Sequence, residues 1–448
     1  MNYLNKLAFL LIILVVSVSI SAQEFSQPYP FVSVNDVGNV ATVREQVLKM
    51  EEWLKWRKEN IVPEVMRRSG VDMWIVTRYE GPLYYSLIPA NYDGCVSRRY
   101  HALVFLDRRN KDGIEEITSD FNELGKTIKE MNPDKIAVAD DVNDRISGLL
   151  DKKYINRLIS SEDLRTGFLE KRSPEELSIF EHVCRVAYDI IAEAYSNKVI
   201  IPDVTTTDDL NWWIRQRYRE LGLGTSDHPT ITIQRSVLER PKYAEGDEHF
   251  DIEVPPRNGY NKVIRRGDII SCDTGIDYFG LGTDTQSNAY VLREGETDVP
   301  AGLKEAMNNT NKLQNHFAAA FEVGKPSHDI VNDALKAAFD DGLRPSIYSH
   351  PIPYYILRYS LNGGIIDIRY GAGPDLGGGE ETEPAPLLPP GGYPVYENTV
   401  YAMELHTWND IPEWGGQKVR LVLETNVAMK KDGLVFLGGR QTEWYIIK

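Results

Sequence analysis

The chain has 448 residues, which is enough for two to three domains at roughly 100–200 residues per domain. Its composition, 42% hydrophobic and 26% charged, is that of a folded globular protein and argues against a disordered, collagen-like or coiled-coil chain. Fifty basic residues against sixty-six acidic ones leave a net charge of −16. This balance argues against a nucleic-acid-binding protein, because phosphate recognition needs clustered Lys and Arg.

The first segment has the pattern of a secretory signal. Lys6 is followed by the uncharged apolar run Leu7–Val18 and then by small residues up to Ala22. We expect a signal peptide over residues 1–22, cut near Ser21–Gln23, and export to the periplasm or the extracellular space. The alternative is a retained membrane anchor, although the run is short for a spanning helix. After cleavage no membrane contact is expected.

Three cysteines are too few for a disulfide-stapled scaffold, and none lies in a recognisable nucleophile motif. Their odd number leaves at least one thiol free or paired outside the chain. Cys95 and Cys184 could pair in an oxidising compartment, a question that the sequence leaves open.

The region after the signal alternates between helical and strand-like patterns. The helical segments are Val43–Lys58 and Asn122–Met131, and the strand-like segments are Val71–Thr77, His101–Leu106 and Lys135–Ala139. Such alternation predicts an α/β layer domain, which we place at residues 30–168.

A second unit begins near Arg172. Ser173 and Glu176 form a capping box around Pro174, and apolar residues at helical spacing follow, so a long amphipathic helix is predicted. Three further helices are predicted from Thr207 to Gly222, over Ala301–Phe321, and from a cap at Ser327 to a stop before Gly342.

Strand-like runs fill much of the rest of this unit. They are Asp268–Asp273, Gly282–Leu292, Val400–His406, Val419–Met429 and Leu434–Leu437. A tight Tyr-Phe-Gly turn at 278–280 joins the first two. Together the helices and strands predict an α+β unit over residues 172–448, interrupted by a long Gly- and Pro-rich loop at Gly371–Gly392.

Five side chains of the second unit have the chemistry of a metal site. Asp273 and Asp284, eleven residues apart, lie on two strands that a hairpin turn can bring together. Glu404 and Glu424 lie in otherwise apolar strands, where an unpaired carboxylate is costly to bury and needs a cation or a proton. With His350 they form an oxygen-rich set that suits two divalent metals such as Mn²⁺, Co²⁺, Zn²⁺ or Fe²⁺. Two metals with a bridging water can produce hydroxide at neutral pH.

Taken singly, each of these residues has an ordinary structural alternative. Asp273 could cap a turn, and His350 could lie at the surface. Glu404 or Glu424 could pair with Arg420. The ordered set, with its flanking sequence, is more specific than any one member.

The flanking motifs carry a family resemblance. They are Gly267-Asp268 with Asp273-Thr274-Gly275, Thr283-Asp284-Thr285-Gln286, Tyr348-Ser349-His350-Pro351-Ile352, Pro412-Glu413-Trp414-Gly415-Gly416-Gln417, and the Gly439–Glu443 segment. Over nearly the whole mature chain, the sequence resembles the pita-bread metallopeptidases, the superfamily of methionine aminopeptidase, prolidase and aminopeptidase P. Its Xaa-Pro aminopeptidase-like branch is the most similar. The resemblance implies an α+β fold, with a creatinase-like N-terminal α/β domain before a C-terminal pita-bread catalytic domain.

The resemblance also implies a role for each of the five residues. Asp273 would chelate one metal, Asp284 and Glu424 would bridge the two, and His350 and Glu404 would complete the other site. Glu404 would also accept a proton from the bridging water. The implied reaction is attack of a metal-bound hydroxide on the scissile carbonyl of a small peptide, releasing an N-terminal residue that often precedes proline. Manganese is the expected metal, with cobalt, zinc or iron as alternatives, and a homodimer is possible.

Two histidines before the metal strands are candidates to orient substrate and protonate the leaving amine. They are His228, in Asp-His-Pro-Thr, and His249, in Glu-His-Phe. Each could equally be an ordinary loop histidine.

The segment after His350 departs from the family pattern. The relatives have a glycine three residues after the ligand histidine and a second histidine seven after it, where this chain has Pro353 and Leu357. A partial match at Arg369–Pro374 is displaced by thirteen residues and places Tyr370 at the position of the second histidine. Tyr370 and His406 are the candidates to replace it.

Three functions stay open at this point. The first is a dinuclear exopeptidase that prefers proline at the second position. The second is a dipeptide-restricted prolidase or a creatinase-like amidinohydrolase, and the latter works without metal, so the five ligands argue against it. The third is a peptide-binding pita-bread protein with impaired catalysis, which the missing second histidine favours.

Overall fold

The computed structural model describes residues 40–80, 82–89, 101–109, 113–224, 229–239, 262–352, 368–370 and 391–448. Several residues and segments from the sequence analysis lie outside these ranges: the signal segment, Cys95, His228, His249, Pro353, Leu357 and most of the Gly371–Gly392 loop. Cys184 and Cys272 are buried free thiols. Among the described residues, no helix combines the length and the apolar character that a membrane span requires.

The first part of the chain forms a mixed five-stranded sheet with helices on both faces. Its elements are α1 (Val43–Arg68), β1 (Met73–Thr77), α2 (Pro82–Ser86), β2 (His101–Asp107), β3 (Ile114–Asp120), α3 (Leu124–Met131), β4 (Ile136–Val138), α4 (Asn143–Ser147), α5 (Lys152–Ile155), β5 (Leu158–Ser160) and α6 (Glu162–Glu170). The strand order is β3-β2-β1-β4-β5, with β1, β4 and β5 parallel. The predicted α/β layering of this region is confirmed.

The central strand shows why this sheet is covered on both sides. All five residues of β1 are buried. Trp74 and Val76 pack into the cluster that contains α1, whereas Met73 and Ile75 pack into the cluster that contains α3. A strand buried on both faces reads as an apolar run without alternation, as this one does.

The second part forms a nine-stranded sheet, a separate two-stranded hairpin (β8 and β9) and four long helices. Its elements are α7 (Pro174–Ala194), α8 (Thr207–Glu220), β6 (Thr230–Gln234), β7 (Ile269–Thr274), β8 (Asp277–Tyr278), β9 (Leu281–Gly282), β10 (Thr285–Val291), α9 (Ala301–Ala320), α10 (Ser327–Asp340), β11 (Pro345–Pro351), β12 (Ile368–Tyr370), β13 (Thr399–Ile411), β14 (Gln417–Lys430), β15 (Gly433–Phe436) and β16 (Tyr445–Ile447). The order is β12-β11-β13-β14-β10-β7-β6, with β15 on β14 and β16 on β10.

Two helix pairs cover one face of this sheet. Ile270 and Cys272 of β7 pack in the cluster of α7 and α8. Met403 and Leu405 of β13 pack in the cluster of α9 and α10. Because successive side chains of a strand point to opposite faces, Asp273 and Glu404 lie on the other face, away from these helices.

Most local predictions hold, but α1 continues to Arg68 rather than ending at Lys58, and one predicted cap is wrong. The Ser173–Glu176 capping box is present. The 278–280 turn joins β8 to β9, with Phe279 and Gly280 both at positive φ, as a tight hairpin turn requires. Ser327, however, does not cap α10. Pro326 occupies the cap position, and Ser327 is the first helical residue.

A buried ion pair ties the first part of the chain to the second. Arg57 of α1 lies 3.1 Å from Glu176 of α7, and both side chains are fully buried. Arg57 also donates to the carbonyl of Lys171, at 2.6 Å. The Glu176 carboxylate also accepts from the amide of Ser173 at 2.6 Å, so it is held both by α1 and by the cap of its own helix.

Glu170, at the end of α6, is a buried carboxyl between the two parts. Its Oε1 has no hydrogen-bond partner, and the side chain is 4% exposed. Burial raises the pKa of Glu170 from 4.5 to about 8, although Arg172 and Arg68 oppose the rise. The group is therefore protonated at neutral pH.

We predict that Glu170→Gln flattens the dependence of stability on pH. Because the folded pKa exceeds the unfolded value, the stabilising contribution of the protonated form is full below pH 4.5 and is lost as pH rises through about 8. Urea unfolding at pH 5.5, 7 and 8.5 should show the parent losing free energy of unfolding, on the order of a few kcal/mol, relative to the variant. Asp163→Asn, at an exposed site on the same helix, should keep the parent slope. An unchanged slope for Glu170→Gln would contradict the assignment.

Candidate metal centre

The β7–β10 pair brings two of the predicted aspartates to one end of the sheet. Thr274 pairs with Thr285, and Asp273 pairs with Gln286, so Asp284 directly precedes β10 beside the end of β7. Gly275 allows this approach, because a Cβ there would lie 2.0 Å from the carbonyl oxygen of Thr283. The glycine of the Asp-X-Gly motif is thus required by backbone packing.

A row of polar residues crosses four strands on the face opposite the helices. Glu404 of β13 lies directly opposite Glu424 of β14, Glu424 lies opposite Gln286, and Gln286 lies opposite Asp273. Directly opposite residues of antiparallel strands share a face. We call the face that carries this row the ligand face.

His350 and Asp284 form the next row of the ligand face. His350 pairs with Ala402, two residues along from Glu404. Asn426, opposite Ala402, donates to the carbonyl of Asp284 at 3.0 Å and accepts from its amide at 3.1 Å. The side chain of Asn426 therefore fixes the backbone of Asp284 one row beyond Glu424.

Three of the five predicted ligands converge closely. His350 Nε2 lies 3.3 Å from Asp284 Oδ2. One ligand atom each from Asp284, His350 and Glu424 lies within 4.8 Å of the others. Asp273 and Glu404 are not members of this closest group, but they flank Glu424 on the same row.

The electrostatics of the cluster follow from this crowding. Burial raises the pKa of Glu424 well above its ordinary value, and the neighbouring charges of Asp284, Glu404 and Asp273 raise it further. Burial alone would lower the pKa of His350, but its hydrogen bond to Asp284 and the charges of Asp284 and Glu404 outweigh burial and raise it to about 9. The site thus favours bound positive charge.

The donor set fits divalent cations. Glu424 is 4% exposed, and no cationic side chain in the described part of the chain lies within ion-pairing distance of it. A buried carboxylate without such a partner is costly. Together with the three carboxylates and one imidazole around it, Glu424 supplies the oxygen-rich ligands that Mn²⁺ and similar ions take.

The remaining predicted residues have mixed outcomes. His228 and His249 lie outside the described residues, so their roles stay predictions. His406 lies two residues from Glu404 on the ligand face, opposite Ser346. Burial, and then the charge of Arg420, hold the pKa of His406 well below its ordinary value. The backbone of Tyr370 pairs with Ile347 at the edge of the sheet.

Two residues at the centre were not among the sequence candidates. Gln286 stands between Asp273 and Glu424 in the row, and Asn426 holds Asp284. The available signal was the two-residue period of a strand, which places Asn426 on the same face as Glu424. That signal becomes specific only when the neighbouring strand is known.

The sequence of the chain matches a known family over the region that carries this site. The model of metallopeptidase family M24 matches residues 178–429, which is more than half of the chain and includes all five candidate ligands. The chain belongs to this family. The predicted resemblance to the pita-bread metallopeptidases and the α+β fold class are therefore confirmed. No curated relative matches the chain in sequence.

Solved structures share the fold of this M24 metallopeptidase at low identity. An X-Pro aminopeptidase from Thermotoga maritima is 14% identical, with a TM-score of 0.54, over 86% of this chain and 99% of that one. A dipeptidase from Pyrococcus horikoshii is 15% identical, with a TM-score of 0.56, over 88% and 100%. A Xaa-Pro dipeptidase from Bacillus anthracis is 14% identical, with a TM-score of 0.52, over 90% and 100%.

We predict that Asp284→Asn weakens Mn²⁺ binding by about a hundredfold or removes one bound ion, because it deletes a charged ligand at the crowded centre. Isothermal titration calorimetry of metal-free protein measures both quantities. Asp410→Asn is the matched control, since Asp410 lies exposed at the far end of β13. Parent-like Mn²⁺ binding by Asp284→Asn would contradict the assignment of the centre.

Proposed function

We propose that this M24 metallopeptidase is a dinuclear exopeptidase that releases the N-terminal residue of small peptides, with Xaa-Pro peptides as its preferred substrates. The observation that carries the proposal is the placement of Asp273, Asp284, His350, Glu404 and Glu424 on one face of one sheet. Mn²⁺ is the proposed metal, on the chemistry of an oxygen-rich donor set.

The five residues are proposed to hold the two cations. Asp273 would serve one ion, Asp284 and Glu424 both, and His350 and Glu404 the other. When bound, such a pair supplies Lewis-acid polarisation of the scissile carbonyl and lowers the pKa of a water molecule.

The side chains of the ligand face support the remaining steps. Asp273 and Glu404 are half-buried rather than fully buried, and we propose that a carboxylate at this centre accepts a hydrogen bond from the free amino terminus of a peptide. We assign Glu404 as the group that accepts a proton from the attacking water. A requirement for the free amino terminus would make the enzyme an exopeptidase.

The preference for proline rests on two lines of support. The motifs around Asp284, His350 and Trp414 are those of the Xaa-Pro aminopeptidase-like branch. The similar structures from Thermotoga maritima and Bacillus anthracis are described as acting on X-Pro substrates. At their low identity they support the fold, and the substrate is our proposal.

We expect the mature protein to release the N-terminal residue of Ala-Pro-Ala faster than that of Ala-Ala-Ala, with Mn²⁺ added and not with a chelator. Amino-acid release is measured by chromatography with Mn²⁺, Co²⁺ or Zn²⁺. Asp284→Asn should lose activity and Asp410→Asn should keep it. Internal cleavage would contradict the exopeptidase assignment. Absence of turnover despite two bound ions would favour the catalytically impaired peptide-binding protein.

We also propose export through the N-terminal signal, based on the apolar run Leu7–Val18 and the small residues up to Ala22. Expression of the full chain in a bacterial host, followed by N-terminal sequencing, should show a mature protein that begins near Gln23. A chain that keeps residues 1–22 and sediments with membranes would support the anchor instead.

A further inference from the structure

The ligand face continues beyond the metal centre along β13 and β14. His406 lies opposite Val422 in the first row beyond Glu404 and Glu424, and Trp408 lies opposite Arg420 in the second. The side chains of His406, Trp408 and Arg420 are half-buried. The strip therefore offers accessible polar and aromatic surface beside the ligands.

The guanidinium of Arg420 is a cation without an ion-pair partner among the described residues. Gln234 fixes the backbone of Arg420, since it donates to the carbonyl at 2.7 Å and accepts from the amide at 3.1 Å. The guanidinium makes no hydrogen bond or ion pair within the described ranges, and burial lowers its pKa. Neighbouring arginines differ: Arg235 pairs with Asp268 at 2.6 Å and Arg344 with Asp410 at 3.2 Å.

The position of this cation relative to the metal centre is set by strand geometry. Arg420 and Glu424 are four residues apart, about 13 Å between Cα atoms. Arg420 lies on the ligand face two residues along β14 from the row of His406 and Val422, and four residues from the row of Glu404 and Glu424. An arginine side chain is long enough to reduce a gap of this size to the order of two extended residues, at about 3.5 Å each.

A half-buried guanidinium at this spacing matches one chemical group of a short peptide. Desolvating a charge without a partner is costly, so the site favours an anionic ligand. A carboxylate is the anionic group that a planar guanidinium binds bidentately. A peptide whose amino terminus is held at the metal centre carries its terminal carboxylate about two residues away if it is a di- or tripeptide.

We infer that Arg420 binds the C-terminal carboxylate of di- and tripeptide substrates, with Trp408 as the aromatic wall of that subsite. The rings of Trp408 and His406 meet edge to face, with centroids 6.1 Å apart. The inference rests on the proposed function and narrows its substrate class to short peptides with a free carboxyl end.

The test compares Ala-Pro-Ala with its C-terminal amide. The kcat/KM of the parent should be about tenfold higher or more for the free acid than for the amide. A difference of this size corresponds to the binding free energy of one charge-assisted hydrogen bond. Arg420→Gln should lose this preference through a higher KM for the acid, with the amide unchanged, and Arg420→Lys should restore part of it. Arg344→Gln, at the paired arginine beside the same strands, is the control and should behave like the parent.

Two measurements separate substrate binding from a structural role. Mn²⁺ affinity of Arg420→Gln should stay within about twofold of the parent, because the residue is not a ligand. An equal loss for acid and amide, a tenfold loss of Mn²⁺ affinity, or an acid preference that persists in Arg420→Gln would overturn the inference.

Failure of the proposed function is distinguishable from failure of this inference. If the parent hydrolyses neither peptide, the peptidase proposal fails. Calorimetric binding of the same two peptides to the Mn²⁺-loaded protein then tests Arg420 directly. Tighter binding of the acid, lost in Arg420→Gln, would support the subsite, and equal binding of acid and amide by the parent would overturn it.

Discussion

The placement of two carboxylates directly opposite each other on neighbouring strands is the constraint on which the rest of the structure depends. Glu404 and Glu424 occupy such a pair, and Asp273 and Asp284 add two more negative charges beside them. Like charges directly opposite in a sheet are destabilising, and burial increases the cost. Packing elsewhere in the sheet, above all on the opposite face, therefore has to offset this cost.

That opposite face is packed against four helices. The helices α7 and α8 cover one half of the sheet and α9 and α10 the other, with apolar strand residues in the clusters beneath them. The segment before α7 adds contacts to the strands. Arg172, fully buried, donates to the carbonyl of Ile352 at 2.5 Å, two residues beyond His350. Its amide donates to Asn398, just before β13. The ligand strands are thus packed from behind and tied at their ends.

The length of two strands links the metal centre to the adjoining subsite. β13 has 13 residues and β14 has 14, and they pair along their whole length. A face with a two-residue period can then carry the ligands in one stretch and His406, Trp408 and Arg420 in the next. On the proposed function, the metal centre and the carboxylate subsite would both lie on this one pair of strands.

The predictions from sequence agree best with the structure where a feature depends only on residues close together in the chain. The Ser173–Glu176 cap, the tight turn at 278–280 and the apolar strands around Glu404 and Glu424 are local features, and all are present. The predictions fail where a feature depends on contacts with residues far away in the chain. Ser327 does not cap because Pro326 takes that position while the amide of Ser327 binds the carbonyl of Tyr393. The strand that carries His350 begins and ends with proline, which is unfavourable in most strands, so its pattern did not predict one.

The sequence by itself determined the family, the ordered set of five ligand-type residues, and the alternation that places polar side chains on one face of each strand. Only the tertiary structure decided which strands are neighbours and in which register. The two-residue period of a strand shows which of its side chains share a face, but it does not show which strand lies beside it. For that reason Gln286 and Asn426 enter the centre only through strand pairing, and the same pairing places Arg420 beside it.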